Sequence, residues 1–168
     1  MTAAQDLFIT GLRNAHAMEN QALSIMRPQV ERIENYPQVA ERLNAHIRET
    51  EAQVTRLEEV LDRVGADRSA LKDAALSLGG TMASIGHTFA PDEIVKNSFA
   101  NHAFENYEIA AYRSLLALSD AAGVAEAGSA LRQNLSEEEA MAEWILNNIE
   151  PLTLQFLALK EGGERAKT

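Results

Sequence analysis

Residues 102–112 read His-Ala-Phe-Glu-Asn-Tyr-Glu-Ile-Ala-Ala-Tyr. Wound as a helix, this run puts Phe104, Glu108, Ala111 and Leu115 on one stripe, with Glu105 and Tyr112 beside it. Two carboxylates thus fall on or near a face whose other members are apolar. An ionised carboxylate taken out of water without a partner costs several kcal/mol, or else takes up a proton. Few Lys or Arg residues stand close to this stripe, so a metal cation is the first partner to consider.

The pattern occurs twice. Residues 16–20 read His-Ala-Met-Glu-Asn and residues 102–106 read His-Ala-Phe-Glu-Asn, an offset of 86. Residues 43–52 align with residues 131–140 at an offset of 88, which pairs Glu49 with Glu137. The repeat is too long and too degenerate for a solenoid. Two related helical hairpins suit a four-helix bundle, in which glutamates from all four helices can meet in the core.

The spacing from the turns agrees. Glu19 and Glu49 are 30 residues apart (49 − 19), centred near residue 34 in the turn Glu34–Pro37. Glu105 and Glu138 are 33 apart (138 − 105), centred at the turn Ala121–Gly123. In an antiparallel hairpin, residues equidistant from the turn sit at one height, so all four carboxylates can share a level. Glu108, one turn past Glu105, adds a fifth. Carboxylates with one imidazole or amide suit iron, manganese or a similar divalent ion, and bridging carboxylates could hold two ions roughly 3.5–4 Å apart. The candidate metal ligands are therefore Glu19, Glu49, Glu105, Glu108 and Glu138, each weighed against an ordinary surface glutamate. His46 and Gln53 flank Glu49 on its side of the helix. On the last helix Glu137 competes with Glu138: the core period favours Glu138, the internal alignment Glu137. His16 and His102 precede their glutamates by three and could ligate, orient a ligand, or lie on the surface. Tyr107 and Tyr112 read as core packing before redox relays, and His87 as a loop residue.

The elements that must position these side chains follow from the apolar period and the breakers. Helices are predicted over about 2–33, 37–64, 91–120, 124–150 and 152–161, within a single domain spanning residues 1–168. Pro37 and Pro91 open helices; Pro28 kinks the first or starts a separate last turn; Pro151 separates the fourth from a short C-terminal helix. That short helix either caps the bundle or packs on a second subunit, and the charged end after Gly163 is expected to fray. Residues 65–91, with a helical run at 69–78, form a long crossover or a lid, the apolar Leu71, Leu76, Leu78, Met82 and Ile85 favouring the crossover.

Composition narrows the partners. The 25 acidic against 15 basic residues give a formal charge of −10, which argues against nucleic acid or an anionic membrane as a partner. The absence of cysteine removes disulfides, thiolate metal sites and thiol catalysis. No apolar run approaches the ~20 residues of a membrane span, and the first residues lack a secretory signal. A cytoplasmic protein is expected.

The run from Phe104 to Tyr112 resembles the helix-three signature of the YciF/YciE-type ferritin-like proteins. Residues 46–58 resemble that family's helix-two signature closely, and residues 17–21 and the stretch around 135–139 resemble its first and fourth helix motifs. The likeness covers about residues 5–150. It implies an all-α, ferritin-like, up-down-down-up four-helix bundle with a long crossover between helices two and three. It also implies a homodimer, association with bacterial stress, and a di-metal centre of two iron or manganese ions related to those of rubrerythrin and manganese catalase. An oxidoreductase acting on peroxide or dioxygen, or a metal-handling stress protein, is the function expected, with no catalytic residue assigned. The alternative is a non-enzymatic dimeric helical protein whose carboxylates are protonated, water-linked or paired with arginine. The chain departs from the family pattern at Asn106, where histidine is usual, and at His16 and His102, where tyrosine and glutamine are commoner. Helices two and four also lack Glu-x-x-His.

Overall fold

Thr2 opens the first helix with a capping box: its hydroxyl accepts from the Gln5 backbone N–H while the Gln5 side chain accepts from the Thr2 N–H. Helix α1 then runs Ala3–Arg32, and Pro37 at the first turn starts α2, Pro37–Arg63. Helix α3 spans Glu93–Ala121; after a 3₁₀ turn at Ala125–Ala127, α4 spans Gly128–Glu161. The computed structural model describes residues 1–66 and 90–168. The expected crossover, with its helical run at 69–78 and His87, lies outside the described residues. Gly65 and Gly123 end α2 and α3 at φ values of 68° and 72°, a region closed to most side chains.

Side-chain contacts fix the directions. Across α1 and α3, Glu19 meets Tyr112 and Gln29 meets Asn101, so one number rises as the other falls. Across α2 and α4, Gln38 meets Gln155 and Gln53 meets Glu137. Each hairpin, α1–α2 and α3–α4, is antiparallel as well. Consequently α2 ends where α1 begins, while α3 begins where α1 ends, beside Arg32. The result is an up-down-down-up bundle of four helices, each roughly 40–50 Å long at 1.5 Å per residue, with no strand among the described residues. Its core is filled by Phe8, Leu12, Met18, Leu57, Leu131 and Met141, all 2% exposed or less. On α1 small side chains admit close approach: a Cβ on Gly11 would lie 2.8 Å from Leu115.

Two prolines sit inside helices without ending them. Pro28 lies in α1 and Pro151 in α4, so residues 152–161, expected as a separate helix, are instead the last turns of α4. Both prolines are on the solvent side, where the carbonyl four residues back can turn to water instead of its missing N–H. Buried Met26 and Gln29 around the first, and Ile145 and Leu152 around the second, hold the helix on course.

The expected fraying of the C-terminal end does not occur. The Tyr36 hydroxyl donates to the Ala166 carbonyl at 2.5 Å, and the Asn35 side chain donates to the Arg165 carbonyl at 2.7 Å. The Ile94 N–H donates to Lys167, and the Lys167 ammonium stands 3.3 Å from Glu93. This strap joins the α1–α2 turn to the start of α3. Tyr36→Phe strands a buried carbonyl, so it should cost about 1–3 kcal/mol and expose the Arg165 and Lys167 peptide bonds to trypsin. Thermal melting and timed proteolysis read both effects; a wild-type melting curve and cleavage pattern would show that the strap bears no load.

Candidate metal centre

The interior face of α3 is a polar stripe through an apolar bundle. Asn97, Asn101, Glu105, Glu108 and Tyr112 are all buried at helical spacing. Facing them are Glu19 from α1, His46, Thr50 and Gln53 from α2, and Asn134 and Glu138 from α4. Glu19, Glu108 and Glu138 are 0% exposed, Glu105 3% and His46 1%. His46 Nε2 lies 3.3 Å from Glu105 and 3.4 Å from Glu138. One nitrogen of His46 and one oxygen of each of these glutamates lie mutually within 4.8 Å, a grouping able to ligate a cation.

Glu93 illustrates what the fold does with a buried carboxylate when protein cations are present. It is 1% exposed and paired with Arg32 at 2.7 Å and Lys167 at 3.3 Å. Among the described residues, no Lys or Arg pairs with the central four glutamates. Glu19 Oε2, Glu105 Oε2 and both oxygens of Glu108 and of Glu138 are buried without a hydrogen-bond partner. Buried polar atoms are nearly always satisfied, so these orphaned oxygens fit a hard or borderline cation. The donor set of four carboxylates and one imidazole fits iron or manganese.

The two arginine-held carboxylates stand at the rim. Glu49 accepts from Arg42 at 3.1 Å and contacts His46 Nδ1 at 2.8 Å, its side chain one-third exposed. Glu137 accepts two bonds from Arg56, at 2.9 and 2.8 Å, and one from Gln53 at 3.0 Å. Glu138, by contrast, points into the cluster. The internal repeat pairs Glu49 with Glu137, and the two share this arginine-bound outer placement. His16 turns away to Glu58 at 3.1 Å, and His102 packs against Asn106 on its own helix. Two participants carry only faint sequence signals. Asn134, which donates to the Tyr112 hydroxyl at 2.9 Å, aligns with His46 in the repeat; Arg42 precedes Glu49 by two turns. Tyr112 in turn donates to Glu19 and is fully buried.

Burial raises Glu19 well above the ordinary carboxylate range, with Glu138 adding to it, and raises Glu108 likewise, with Glu19 and Glu138 adding. Burial lifts Glu105 to about 8 even though His46 opposes it. For His46, burial disfavours the charge, but Glu105, Glu138 and Glu49 overcome it and raise the imidazole well above its usual pKa. Burial of Glu138 is similarly outweighed by His46, which holds it below the ordinary value. Without a cation, these shifts favour the protonated forms of Glu19, Glu105 and Glu108 and the charged forms of His46 and Glu138.

Among the described residues, no helix is long and apolar enough to cross a membrane. In fold the chain is similar to a Xanthomonas campestris pv. campestris protein, with a TM-score of 0.80 and 26% identity over 95% of this chain and 99% of that one. It is similar to the crystal structure of the Escherichia coli stress protein YciF, TM-score 0.72 and 22% identity, covering 89% of this chain and 96% of that one. In sequence, YciF of Escherichia coli strain K12 is 24% identical over 164 residues, 89% of this chain and 94% of YciF. A match over residues 3–158, nearly the whole bundle with its carboxylate cluster, shows that the chain belongs to the DUF892 family, a domain of unknown function.

Proposed function

We propose that this protein holds two divalent transition-metal ions, iron or manganese, between its four helices and is a stress-related oxidoreductase acting on dioxygen or peroxide. The observation that carries the reading is the set of buried carboxylates Glu19, Glu105, Glu108 and Glu138. Among the described residues it has His46, 3.3 Å from Glu105 and 3.4 Å from Glu138, as its cationic neighbour and several oxygens without a hydrogen bond. Four carboxylates and two divalent ions balance in charge, and His46 then serves as a neutral imidazole ligand. Such an ion pair, when bound, supplies the electrons for reduction of an oxidant. Glu49 holds His46 by Nδ1 and so aims Nε2 inward, as carboxylates beside ligating histidines do. Arg42 and Arg56 neutralise Glu49 and Glu137, keeping surplus negative charge out of the ligand set. The chain's likeness to a protein described as a stress protein supports the physiological half of the reading. Pairing of two copies through the exposed Leu146, Leu154 and Leu157 of α4 accords with it.

One observation favours a metal-free alternative: His46 Nε2 stands 3.4 Å from Glu138, where a protonated imidazole would compensate the carboxylate. In that reading the cluster is a proton-bearing polar core and the protein is non-enzymatic. Metal analysis of protein purified without chelator and reconstituted anaerobically separates the two. About two iron or manganese ions per chain are expected, falling to one or none in a Glu105→Ala, His46→Ala double variant of unchanged helicity. Stoichiometry near zero in the wild type would leave the metal-free reading standing. Glu49→Ala should weaken binding roughly 10–100-fold without removing the site.

Loading must also displace protons. Near pH 7, binding of two divalent ions should release three to four protons, from Glu19, Glu105, Glu108 and His46. Calorimetry in buffers of different ionisation enthalpy measures this; release of one proton or none contradicts the assignment. The metal-free protein should lose stability as pH rises. Glu105 keeps its proton when folded up to about 8 but gives it up near 4.5 when unfolded. Its contribution is therefore intact below 4.5 and lost progressively between 4.5 and about 8. Glu105→Gln should flatten that decline in the melting temperature measured from pH 5 to 8.

A further inference from the structure

The internal repeat is imperfect at the place where it matters most. At the offset of 86 that superposes Glu19 on Glu105, Glu108 corresponds to Ala22 and Tyr112 to Met26. Since α1 and α3 are antiparallel, Tyr112 lies against Glu19 while Met26 faces the Glu105 level. On the Glu19 side Tyr112 hydrogen-bonds Glu19 and Asn134, and the hollow of about 170 Å³ between α1 and α3 beyond it, lined by Gly11, Ala15, Met18, Tyr107 and Leu115, includes none of the four glutamates in its wall. On the Glu105 side, Ala22, Ile25, Met26, Asn101, Phe104 and Glu105 line a cleft of about 10 Å³, room for roughly one water-sized molecule. Glu105, whose Oε2 has no hydrogen bond but stands 3.3 Å from His46 Nε2, is one of those lining residues, 3% exposed where Glu19, Glu108 and Glu138 are 0%.

The other three seams are crossed by charged pairs along the middle of the bundle, whereas the α1–α3 seam has its pair, Arg32–Glu93, at the end of the bundle away from the cleft. His16–Glu58 and Arg27–Glu51 link α1 to α2, Arg56–Glu137 links α2 to α4, and Arg113–Glu139 links α3 to α4. At the cleft the walls are mainly apolar, and the polar Asn101 is neutral and tied to Gln29 through both amide groups. A hydrated ion has nothing there to replace its water, and hydrogen peroxide would give up its hydrogen bonds to water, whereas apolar dioxygen loses little on entering.

We infer that an apolar diatomic ligand, dioxygen, reaches the Glu105 side of the cluster through this α1–α3 cleft, and that the side chain at position 22 sets its width. Met26, an unbranched and adaptable side chain, is the movable wall. The inference rests on the proposed metal centre for its purpose but not for its test.

The test has two arms. In the metal-free protein under several atmospheres of dioxygen, the methyl groups of Ala22, Ile25 and Met26 should show paramagnetic relaxation several-fold above that of Met141 and Ala127, buried elsewhere; Ala22→Leu should abolish the excess at Met26. Relaxation at the cleft no greater than at the controls overturns the proposal. In protein loaded with ferrous iron, nitric oxide serves as a neutral two-atom probe, its binding followed by stopped-flow absorbance. Ala22→Leu should slow binding at least tenfold and Met26→Ala should speed it, with iron content and final spectrum unchanged. Equal rates in a folded Ala22→Leu or Met26→Ala variant overturn the proposal. A wild type that takes up no iron yet concentrates dioxygen at the cleft would sink the metal reading while upholding the cleft.

Discussion

The constraint on which this bundle depends is the cost of negative charge in a dry interior. Burial disfavours ionisation of every central glutamate, and like charges on facing helices compound the effect. A helical bundle with an aliphatic core would be simpler and no less stable, since buried ionic groups are poor contributors to stability. Four helices each present a polar or ionisable residue at the same level, which makes the cluster the most expensive feature of the fold and the one that demands a chemical explanation.

The surrounding charges are graded around that centre. Glu93, at one end of the bundle, takes Arg32 and Lys167; Glu49 and Glu137, at the rim, take Arg42 and Arg56. Only toward the middle do the protein cations stop, leaving the single imidazole of His46 among four carboxylates. This gradient suits a site that must be electrostatically satisfied by something arriving from outside, or by protons when nothing arrives. It also divides labour along α2 and α4, where adjacent or near-adjacent acidic side chains serve different ends: Glu138 faces the cluster while Glu137 closes the surface above it.

The internal repeat matches the symmetry of the site, and its imperfections match the site's lopsidedness. The repeat places Glu19 and Glu105 in matching positions, and Glu49 and Glu137 in matching positions. His46 and Asn134 then differ, as do Ala22 and Glu108, and Met26 and Tyr112. Where the halves differ, one flank is hydrogen-bonded and the other apolar and thinly covered. A two-ion centre with distinct flanks can hold metal and admit a ligand without the two demands competing for the same side chains.

What the sequence by itself determined was the four long helices of the bundle, their order and the level at which acidic residues recur, because these depend on local period and on counting from turns; the fifth, short helix it added at 152–161 is the end of α4. It could not determine whether Pro28 and Pro151 would break their helices, since that rests on which side faces solvent and on the packing around them. Nor could it anticipate the strap of residues 164–168, whose contacts with Tyr36, Asn35 and Ile94 join positions far apart in the chain. At the site, Glu19 and Glu105 were legible from the repeat, and Glu108 and the adjacent pair Glu137 and Glu138 from the helical period. The outward turn of Glu49, the inward reach of His46, and the sorting of Glu137 from Glu138 belonged to the tertiary structure. Each is decided by a fraction of a helical turn and by an arginine on another turn or another helix, and only the packed bundle fixes those.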